Sequence, residues 1–193
     1  MPFTFEKTEL PDVILVTACV FSDQRGEFME AFKATEFAAA GIPSSFVQDN
    51  ASVSHAGVLR GLHYQLPPHA QGKLVSVTRG AVWDVAVDLR VASARFGRWV
   101  ARELRSERSE MLWIPPGFAH GFLALENDTR LFYKCSCEYH PESEAGIRWD
   151  DPQLAIPWPH RNVLVSRKDR DLPLLADARL METVEGEVSW SGS

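Results

Sequence analysis

Short runs of aromatic and β-branched residues, separated by turn-forming residues, constrain the fold of this chain more than any other feature. Each run has the length of one β-strand. No helical pattern alternates with the runs, so a parallel α/β sheet is not expected. Many short strands at regular spacing are typical of a β-sandwich or a β-barrel. The runs lie at residues 13–20, 58–64, 73–78, 82–89, 99–104, 112–114 and 131–133.

Residues 82–89 show the clearest alternation of side chains with a period of two, which predicts a strand whose faces meet different surroundings. Helical signals are few. Residues 35–40, followed by Gly41, predict one short helix, and a second is expected to follow Asp169. One face of the alternating strand carries Trp83, Val85, Val87 and Leu89, and the other carries Asp84, Ala86 and Asp88.

Length and charge limit the domain count and the classes of partner. The chain has 193 residues, of which 24% are charged, and a net charge of -6. This length predicts one domain over residues 1–193, with a core at about 13–175 and a weakly ordered tail at 184–193. The ordinary charge content argues against bulk disorder. The acidic balance argues against binding to nucleic acid or to an anionic membrane, so we expect neither as a partner.

Cysteine usage and the N-terminal segment bear on the cellular compartment. Three cysteines, Cys19, Cys135 and Cys137, do not form a closed disulfide framework, and we expect free thiols. Cys135 and Cys137 share a face if they lie on a strand. The N-terminal segment lacks the pattern of a signal peptide, and no apolar run reaches about 18 residues. The expected location is the cytoplasm.

Two of the six histidines lie in apolar, glycine-containing segments that resemble the two motifs of cupin barrels. The first motif has His63 six positions after Gly57, but Gln65 stands where metal-binding cupins carry a second histidine. The second motif ends at His120 in the segment Pro-Pro-Gly-Phe-Ala-His. The resemblance implies an all-β jelly-roll (cupin-like) barrel with short peripheral helices. Two histidines beside a lysine make a poor cation site, so no metal is expected.

Without a metal, His63 is free to act as a general base, because an imidazole has a pKa of about 6.5. Such a base needs an orienting carboxylate, and the pattern leaves both Asp84 and Asp169 as candidates. Lys73 is a candidate to stabilise an enolate. Tyr133 is a candidate acid for the opposite face of an inverted carbon.

Two arginines and two aromatic residues are candidates for binding a nucleotide. An arginine fork binds phosphate oxygens in pairs, and Arg25 and Arg60 are available for a diphosphate. Phe28 and Tyr139 offer planes on which a base can stack. On a regular strand Arg60 and His63 would face opposite sides, unless a bulge at Gly61 changes the direction of the chain.

Six dispersed motifs, in order over about residues 13–175, resemble the dTDP-4-dehydrorhamnose 3,5-epimerase family. That family is a metal-free jelly-roll barrel that acts as a homodimer. The resemblance implies that His63 is the base, paired with Asp169, that Lys73 steadies the enolate oxygen, and that Tyr133 is the acid. The motifs are Gln48-Asp49-Asn50, Leu59-Arg60-Gly61-Leu62-His63-Tyr64-Gln65, Gln71-Gly72-Lys73, Phe118-Ala119-His120-Gly121-Phe122, Tyr139-His140-Pro141-Glu142-Ser143-Glu144 and Trp149-Asp150-Asp151-Pro152.

The resemblance also implies a set of substrate-binding residues, part of which a neighbouring subunit would lend. One departure is Glu27, where the family often has phenylalanine, but the neighbouring Phe28 is kept and we expect little change. Tyr139 matches the position that stacks on thymine. The lent residues would be Arg25, Phe28 and Glu30, and the chain's own would be Gln48, Asn50, Arg60, His120, Tyr139, Glu144 and Lys168.

The implied reaction converts dTDP-4-dehydro-6-deoxy-D-glucose to dTDP-4-dehydro-L-rhamnose by inversion at C3 and C5. This isomerase step belongs to dTDP-L-rhamnose biosynthesis and so serves cell-envelope polysaccharide. No cofactor is expected, because no hydride moves. The alternative is a monofunctional 3- or 5-epimerase of a related dTDP-deoxysugar pathway. A non-catalytic sugar-nucleotide binding barrel and a metal-dependent cupin oxygenase are less consistent with the residues present.

Overall fold

Two β-sheets that face each other across an apolar core form the framework of the protein. The computed structural model describes residues 2–160 and 162–180, so the tail predicted at 184–193 lies outside the described residues. In chain order the elements are β1 (Phe3–Lys7), β2 (Ile14–Ala18), β3 (Val20–Asp23), β4 (Gly26–Met29), α1 (Ala34–Ala39), β5 (Gln48–Ser54), β6 (Val58–Gln65), β7 (Lys73–Arg79), β8 (Ala81–Asp88), β9 (Trp99–Arg105), β10 (Glu110–Ile114), β11 (Phe118–Ala124), β12 (Thr129–Cys135), β13 (Glu144–Gly146), β14 (Leu164–Val165) and α2 (Arg167–Arg170).

The strand order is that of a jelly roll rather than of a simple meander. The first sheet runs β1-β2-β10-β7-β12-β5, and the second runs β13-β6-β11-β8-β9, with β14 added in parallel beside β6. Neighbouring strands are otherwise antiparallel, and most are distant in sequence. The fold is therefore the all-β jelly roll with short peripheral helices that the sequence predicts.

Both sheets contribute apolar side chains to the space between them. Val75, Leu112 and Leu131 come from the first sheet, and Val82 and Phe122 come from the second. All five are almost completely removed from solvent. The core also begins earlier in the chain than expected, because Phe3 on β1 is buried in a separate apolar cluster beside α1.

The alternation of β8 is confirmed, and both of its faces are buried. Val82 and Ala86 point into the space between the sheets, as does Asp84, whose partner is described below. Val85 and Val87 point outward, where they pack under the C-terminal part of the chain together with Ile147, Leu154 and Leu175. The C-terminal segments therefore close the outer face of the second sheet.

Several elements differ from the sequence prediction for identifiable reasons. β5 is the edge of its sheet and carries polar side chains along one face, so its sequence lacks an apolar run. The helix α1 ends at Ala39, followed by Gly41 at φ +79°, as predicted. The prediction of a helix after Asp169 was wrong in position, because α2 contains Asp169. Ser166 caps this helix by accepting a hydrogen bond from the backbone N–H of Asp169.

Strands β3 and β4 form a separate two-stranded hairpin that belongs to neither large sheet. All eight of its residues are exposed. They include Phe21 at 57% exposure and Phe28 at 67%. Within residues 2–160 and 162–180, no helix has the length and apolar character needed to cross a bilayer.

Candidate active site

A cleft of about 560 Å³ opens between the two sheets, and most of the candidate catalytic residues line it. One wall is formed by β6 and β11 of the second sheet, and the other by β5, β7 and β12 of the first. The segment from β14 to α2 closes one end. The polar residues that line the cleft are Ser52, Arg60, His63, Lys73, His120, Tyr133, Ser166 and Asp169.

His63, on β6, is held by Asp169 from helix α2. The Nε2 atom of His63 lies 2.8 Å from Oδ1 of Asp169, and Oδ2 of Asp169 accepts a hydrogen bond from the backbone N–H of Gly61 at 3.3 Å. Burial opposes ionisation of Asp169. The hydrogen bond from His63 and the electrostatic attraction between the two side chains outweigh burial, and together they lower the pKa of this carboxyl. An ionised Asp169 can only accept, so Nε2 carries the proton and Nδ1 keeps its lone pair. The imidazole is thus oriented to receive a proton at Nδ1.

A β-bulge at Gly61 brings Arg60 and His63 to the same side of β6. Arg60 pairs with Phe122 of β11, and His63 pairs with His120, so Gly61 and Leu62 together face one residue. Since residues 120 and 122 share a face of β11, their partners do also. The bulge therefore resolves the strand-face difficulty within one chain, without help from a second subunit.

Only glycine fits at the position of this bulge. Gly61 has φ +128°, a region that other residues rarely adopt. A Cβ atom there would lie 2.5 Å from Cα of Gly121 and 2.9 Å from the carbonyl oxygen of His120. The two backbones can approach this closely because both positions lack a side chain.

His120 forms a second pair with the other candidate carboxylate, Asp84. Their Nε2 and Oδ2 atoms are 2.9 Å apart, and both residues are buried. Sequence patterning left Asp84 and Asp169 open as partners of His63. The structure places Asp169 on His63 and Asp84 on His120. His63 and His120 are themselves direct neighbours across β6 and β11.

Lys73 and Tyr133 stand on the first sheet, across the cleft from His63. Nζ of Lys73 lies 5.8 Å from the centre of the Tyr133 ring. The centre of the His120 ring lies 6.5 Å from the centre of the same Tyr133 ring. Burial lowers the pKa of Lys73, although Cys135, Asp84 and Glu144 act in the opposite direction. Burial and the nearby Cys135 raise the pKa of Tyr133, and they outweigh Asn50 and Arg60, which act to lower it. The phenol is therefore protonated at neutral pH.

A second cleft of about 280 Å³ adjoins the first and shares His63, Lys73 and Tyr133 with it. Gln48, Asn50, Tyr139 and Glu144 line its outer part. The Tyr139 hydroxyl donates to Oε2 of Glu144 at 2.8 Å. The backbone N–H of Tyr139 donates to the Gln48 side chain. An exposed aromatic ring is thereby fixed at the edge of a polar groove.

Lys168 completes this group from helix α2. Its Nζ atom donates to Oε1 of Glu144 at 2.6 Å. Burial works against ionisation of Glu144, but the hydrogen bonds from Lys168 and Tyr139 prevail and lower its pKa. The same helix therefore supplies Asp169 to one cleft and, through Lys168, an ion pair to the Glu144 that lines the other.

Three predicted binding residues do not reach either cleft of their own chain. Arg25 and Phe28 lie on the exposed β3–β4 hairpin, and Glu30 follows it. The Arg25 guanidinium is held by the Asp23 carboxylate through Nε and Nη2. The hairpin thus presents a cation and an aromatic ring at the surface, outside the lining of both clefts.

Two further polar residues that no sequence motif singled out, Ser52 and Ser166, line the main cleft. Ser166 caps α2 and so fixes Asp169, and the spacing Ser-x-x-Asp is a known capping signal that could have found it. Ser52 lies on the inward face of β5, and its hydroxyl has no hydrogen-bond partner among the described residues. No local sequence signal distinguishes Ser52 from other strand serines.

Chemically, the clefts combine an oriented imidazole on one wall with a protonated phenol and the Lys73 amine on the facing wall. This arrangement suits proton transfer at a carbon next to a carbonyl group. The second cleft carries side-chain amides, an ion pair at its edge and an aromatic ring, which together could bind a larger polar group.

Comparisons with known proteins agree with this geometry. A family model described as dTDP-4-dehydrorhamnose 3,5-epimerase matches residues 7–177. A dTDP-4-dehydrorhamnose 3,5-epimerase of Shigella flexneri is 50% identical over 173 residues, which are 89% of this chain and 96% of that protein. A dTDP-4-dehydrorhamnose 3-epimerase of Streptomyces niveus is 42% identical over 159 residues, 82% of this chain and 77% of that protein.

A solved structure extends the agreement to the fold. The dTDP-6-deoxy-D-glucose-3,5-epimerase of Legionella pneumophila, in complex with dTDP-4-keto-L-rhamnose, has a TM-score of 0.89 and 45% identity to this chain. The match covers 94% of this chain and 98% of that one. The chain therefore belongs to the dTDP-4-dehydrorhamnose 3,5-epimerase family.

Proposed function

We propose that the protein is an isomerase that inverts C3 and C5 of dTDP-4-dehydro-6-deoxy-D-glucose to give dTDP-4-dehydro-L-rhamnose, a step of dTDP-L-rhamnose biosynthesis. The observation that carries the proposal is the placement of base and acid on facing walls. His63, with Asp169, stands on the second sheet, and Tyr133 stands on the first. Inversion of a carbon requires that a proton leave from one face and return to the other, which two facing walls allow.

In the first half of the reaction, His63 removes a proton next to the 4-keto group. The electron pair of the C–H bond forms a carbon–carbon double bond to C4, and the carbonyl electrons move onto O4. The Asp169 carboxylate stabilises the imidazolium that results. Lys73 donates to the oxygen where negative charge develops, which lowers the barrier most in a site shielded from water.

In the second half, Tyr133 gives its proton to the opposite face of the same carbon. The enolate electrons return to re-form the C4 carbonyl group. His63 is then protonated and Tyr133 is a phenolate, and one proton passes to solvent while another is taken up. The cycle repeats at the other carbon, and no redox cofactor is required because no hydride moves.

The remaining residues are proposed to bind the nucleotide. Arg60 faces the cleft beside His63 and would hold a phosphate oxygen through its guanidinium. Gln48 and Asn50 line the adjoining groove. Tyr139, supported by Glu144 and Lys168, would stack on the thymine. His120, held by Asp84, would contact the sugar near Lys73.

We also propose a homodimer in which each β3–β4 hairpin completes the site of its partner. Arg25, Phe28 and Glu30 do not line the clefts of their own chain, and the hairpin exposes aromatic side chains that a neighbour would cover. A second subunit would thus add a cation for the diphosphate and a ring for the base. A cytoplasmic location is proposed as well, consistent with the three free thiols.

The test of the proposed function is the stereochemistry of the product. The purified protein is incubated with dTDP-4-keto-6-deoxyglucose, and the sugar is analysed by NMR. Inversion at both C3 and C5 is expected. The similarity to a 3-epimerase makes inversion at C3 alone the specific alternative. A product inverted at one carbon would replace the bifunctional assignment, and an unchanged sugar would refute catalysis of this reaction.

A further inference from the structure

Two histidines outside the catalytic clefts lie in direct contact on the flank of the second sheet. His69 follows β6, and His140 precedes β13. Their rings are stacked, with centres 3.5 Å apart and planes inclined by 11°. Neither residue lines the clefts described above, and the proposed reaction does not use them.

The carboxylate of Glu142 lies close to both imidazole rings. Oε1 of Glu142 lies 3.2 Å from Nδ1 of His140 and 4.0 Å from Nδ1 of His69. One ligand atom of each residue falls within 4.8 Å of the other two. Around a tetrahedral zinc ion, with bonds of about 2.0–2.2 Å, ligand atoms are separated by roughly 3.3 Å. A bound ion lies in the plane of each imidazole that holds it, so at least one ring has to rotate out of the stack before the three side chains can share one ion.

We propose that His69, His140 and Glu142 form a binding site for a transition-metal ion of the zinc class, separate from the catalytic cleft. Two imidazole nitrogens and one carboxylate are a ligand set that Zn²⁺ accepts, whereas Mg²⁺ and Ca²⁺ favour oxygen ligands. The side chains are partly exposed. Solvent can therefore reach the ion, and water can fill its fourth position.

The backbone around the site is already fixed, so little ordering is needed when an ion binds. The buried Gln65 side chain donates to the carbonyl groups of His69 and Glu138 and accepts from the backbone N–H of His140 at 2.7 Å. The backbone N–H of Leu66 donates to the carbonyl of Ser143. One side chain and one backbone bond thus join the two segments that carry the ligands.

Besides the ring stack, one hydrogen bond has to be exchanged when the ion binds. Nδ1 of His69 lies 2.8 Å from the hydroxyl of Ser143. The serine hydroxyl is able to turn toward water, so the exchange requires no backbone movement. Because Tyr139 and Glu144 flank the ligand segment 140–142, an ion held there would also fix the segment that carries the proposed thymine platform.

The test is a calorimetric titration of the full-length protein with ZnCl₂ alone. One ion per chain is expected, with a dissociation constant in the micromolar range. His69→Ala and His140→Ala should each weaken binding by about ten-fold or more, as loss of a ligand or of its support does. His55→Ala is the matched control, because His55 is exposed and remote in sequence from the site; it should leave the affinity unchanged.

Glu142→Gln keeps the shape of the exposed side chain and removes only the charge, so it remains informative if a histidine variant misfolds. It should also weaken zinc binding. Absence of zinc binding to the wild type below millimolar concentration would overturn the proposal. The same holds if the wild type and all three ligand variants bind zinc equally well.

Discussion

His63 and His120 are adjacent and each is paired with an aspartate, but they differ in exposure, and only His63 is open enough for the proposed role of base. The His63 side chain is 32% exposed, whereas that of His120 is 6% exposed. A base has to reach the carbon-bound proton of its substrate. His63 meets this requirement, and its lone pair at Nδ1 is set by the hydrogen bond that Nε2 makes to Asp169.

Replacing Asp169 tests this orientation. Asp169→Asn removes the charge and allows the wrong imidazole tautomer, so kcat should fall by about 10²–10⁴ while KM changes little. Steady-state kinetics measure both. Asp171→Asn is the control, because Asp171 lies exposed one residue beyond the same helix, near Arg167. A kcat for Asp169→Asn equal to that of the control would refute the pairing as a catalytic feature.

Tyr133 supplies the second residue-scale test. Tyr133→Phe removes the proposed acid but leaves His63 and Lys73 in place, so exchange with solvent should continue at C5 while inversion there is impaired. NMR of the sugar in heavy water separates the two outcomes. Tyr64→Phe is the control, because its ring, which lines the second cleft, is kept and the lost hydroxyl donates to the carbonyl of Arg179 at 2.6 Å. Undiminished inversion in Tyr133→Phe would assign the acid to another group.

At the scale of single elements, the bulge of β6 decides the shape of the site. Arg60 and His63 share a side because Gly61 adds one residue to the strand. The same glycine donates its N–H to Asp169. One irregularity therefore sets the positions of a phosphate-binding candidate, of the proposed base and of the carboxylate paired with it.

Gly61→Ala should destabilise the fold by about 3 kcal/mol, from backbone strain and a clash with Gly121. Gly97→Ala is the control, because Gly97 also has a positive φ of +72° but its nearest neighbour atom is 3.9 Å away. It should cost about 1 kcal/mol. Urea unfolding followed by fluorescence measures both. Equal losses for the two variants would show that the close approach at Gly121 is unimportant.

The elements also show how far the sequence alone can predict this protein. Strands with apolar faces, such as β7 and β8, are predictable because their pattern reflects burial. β5 and the edge strand β1 are not predictable in this way, because their polar side chains face the cleft or the solvent and so interrupt any apolar pattern. His63 and His120 could be singled out from their motifs, but the residue pattern did not assign their aspartate partners; only the family resemblance named Asp169 for His63, and nothing in the sequence linked Asp84 to His120. Pairing depends on contacts between residues as distant as 63 and 169, which no local pattern encodes.

At the scale of the whole molecule, the single chain holds the proposed chemistry but only part of the proposed nucleotide site. The acidic chain has a net charge of -6 and would bind a dianionic substrate, so a few cations have to be well placed. Arg60, Lys73 and Lys168 lie in or beside the clefts, whereas Arg25 is exposed on its hairpin. The proposed dimer would bring Arg25 of one chain to the cleft of the other.

Subunit mixing tests this lending directly. His63→Ala and Arg25→Ala homodimers should both be nearly inactive, but a mixed dimer contains one site in which both residues are intact. After random exchange of equal amounts, activity should recover to about a quarter of the wild type. An activity assay before and after mixing measures the recovery. If mixing restores no activity although subunits exchange, each site is built from one chain.

The central claim is that one base, His63, removes the proton at both carbons. Wild type and His63→Ala are each incubated with dTDP-4-keto-6-deoxyglucose in heavy water, and deuterium at C3 and C5 is followed by NMR. The wild type should incorporate deuterium at both positions, and His63→Ala should incorporate it at neither. Incorporation by His63→Ala at the wild-type rate, at either carbon, would contradict the claim.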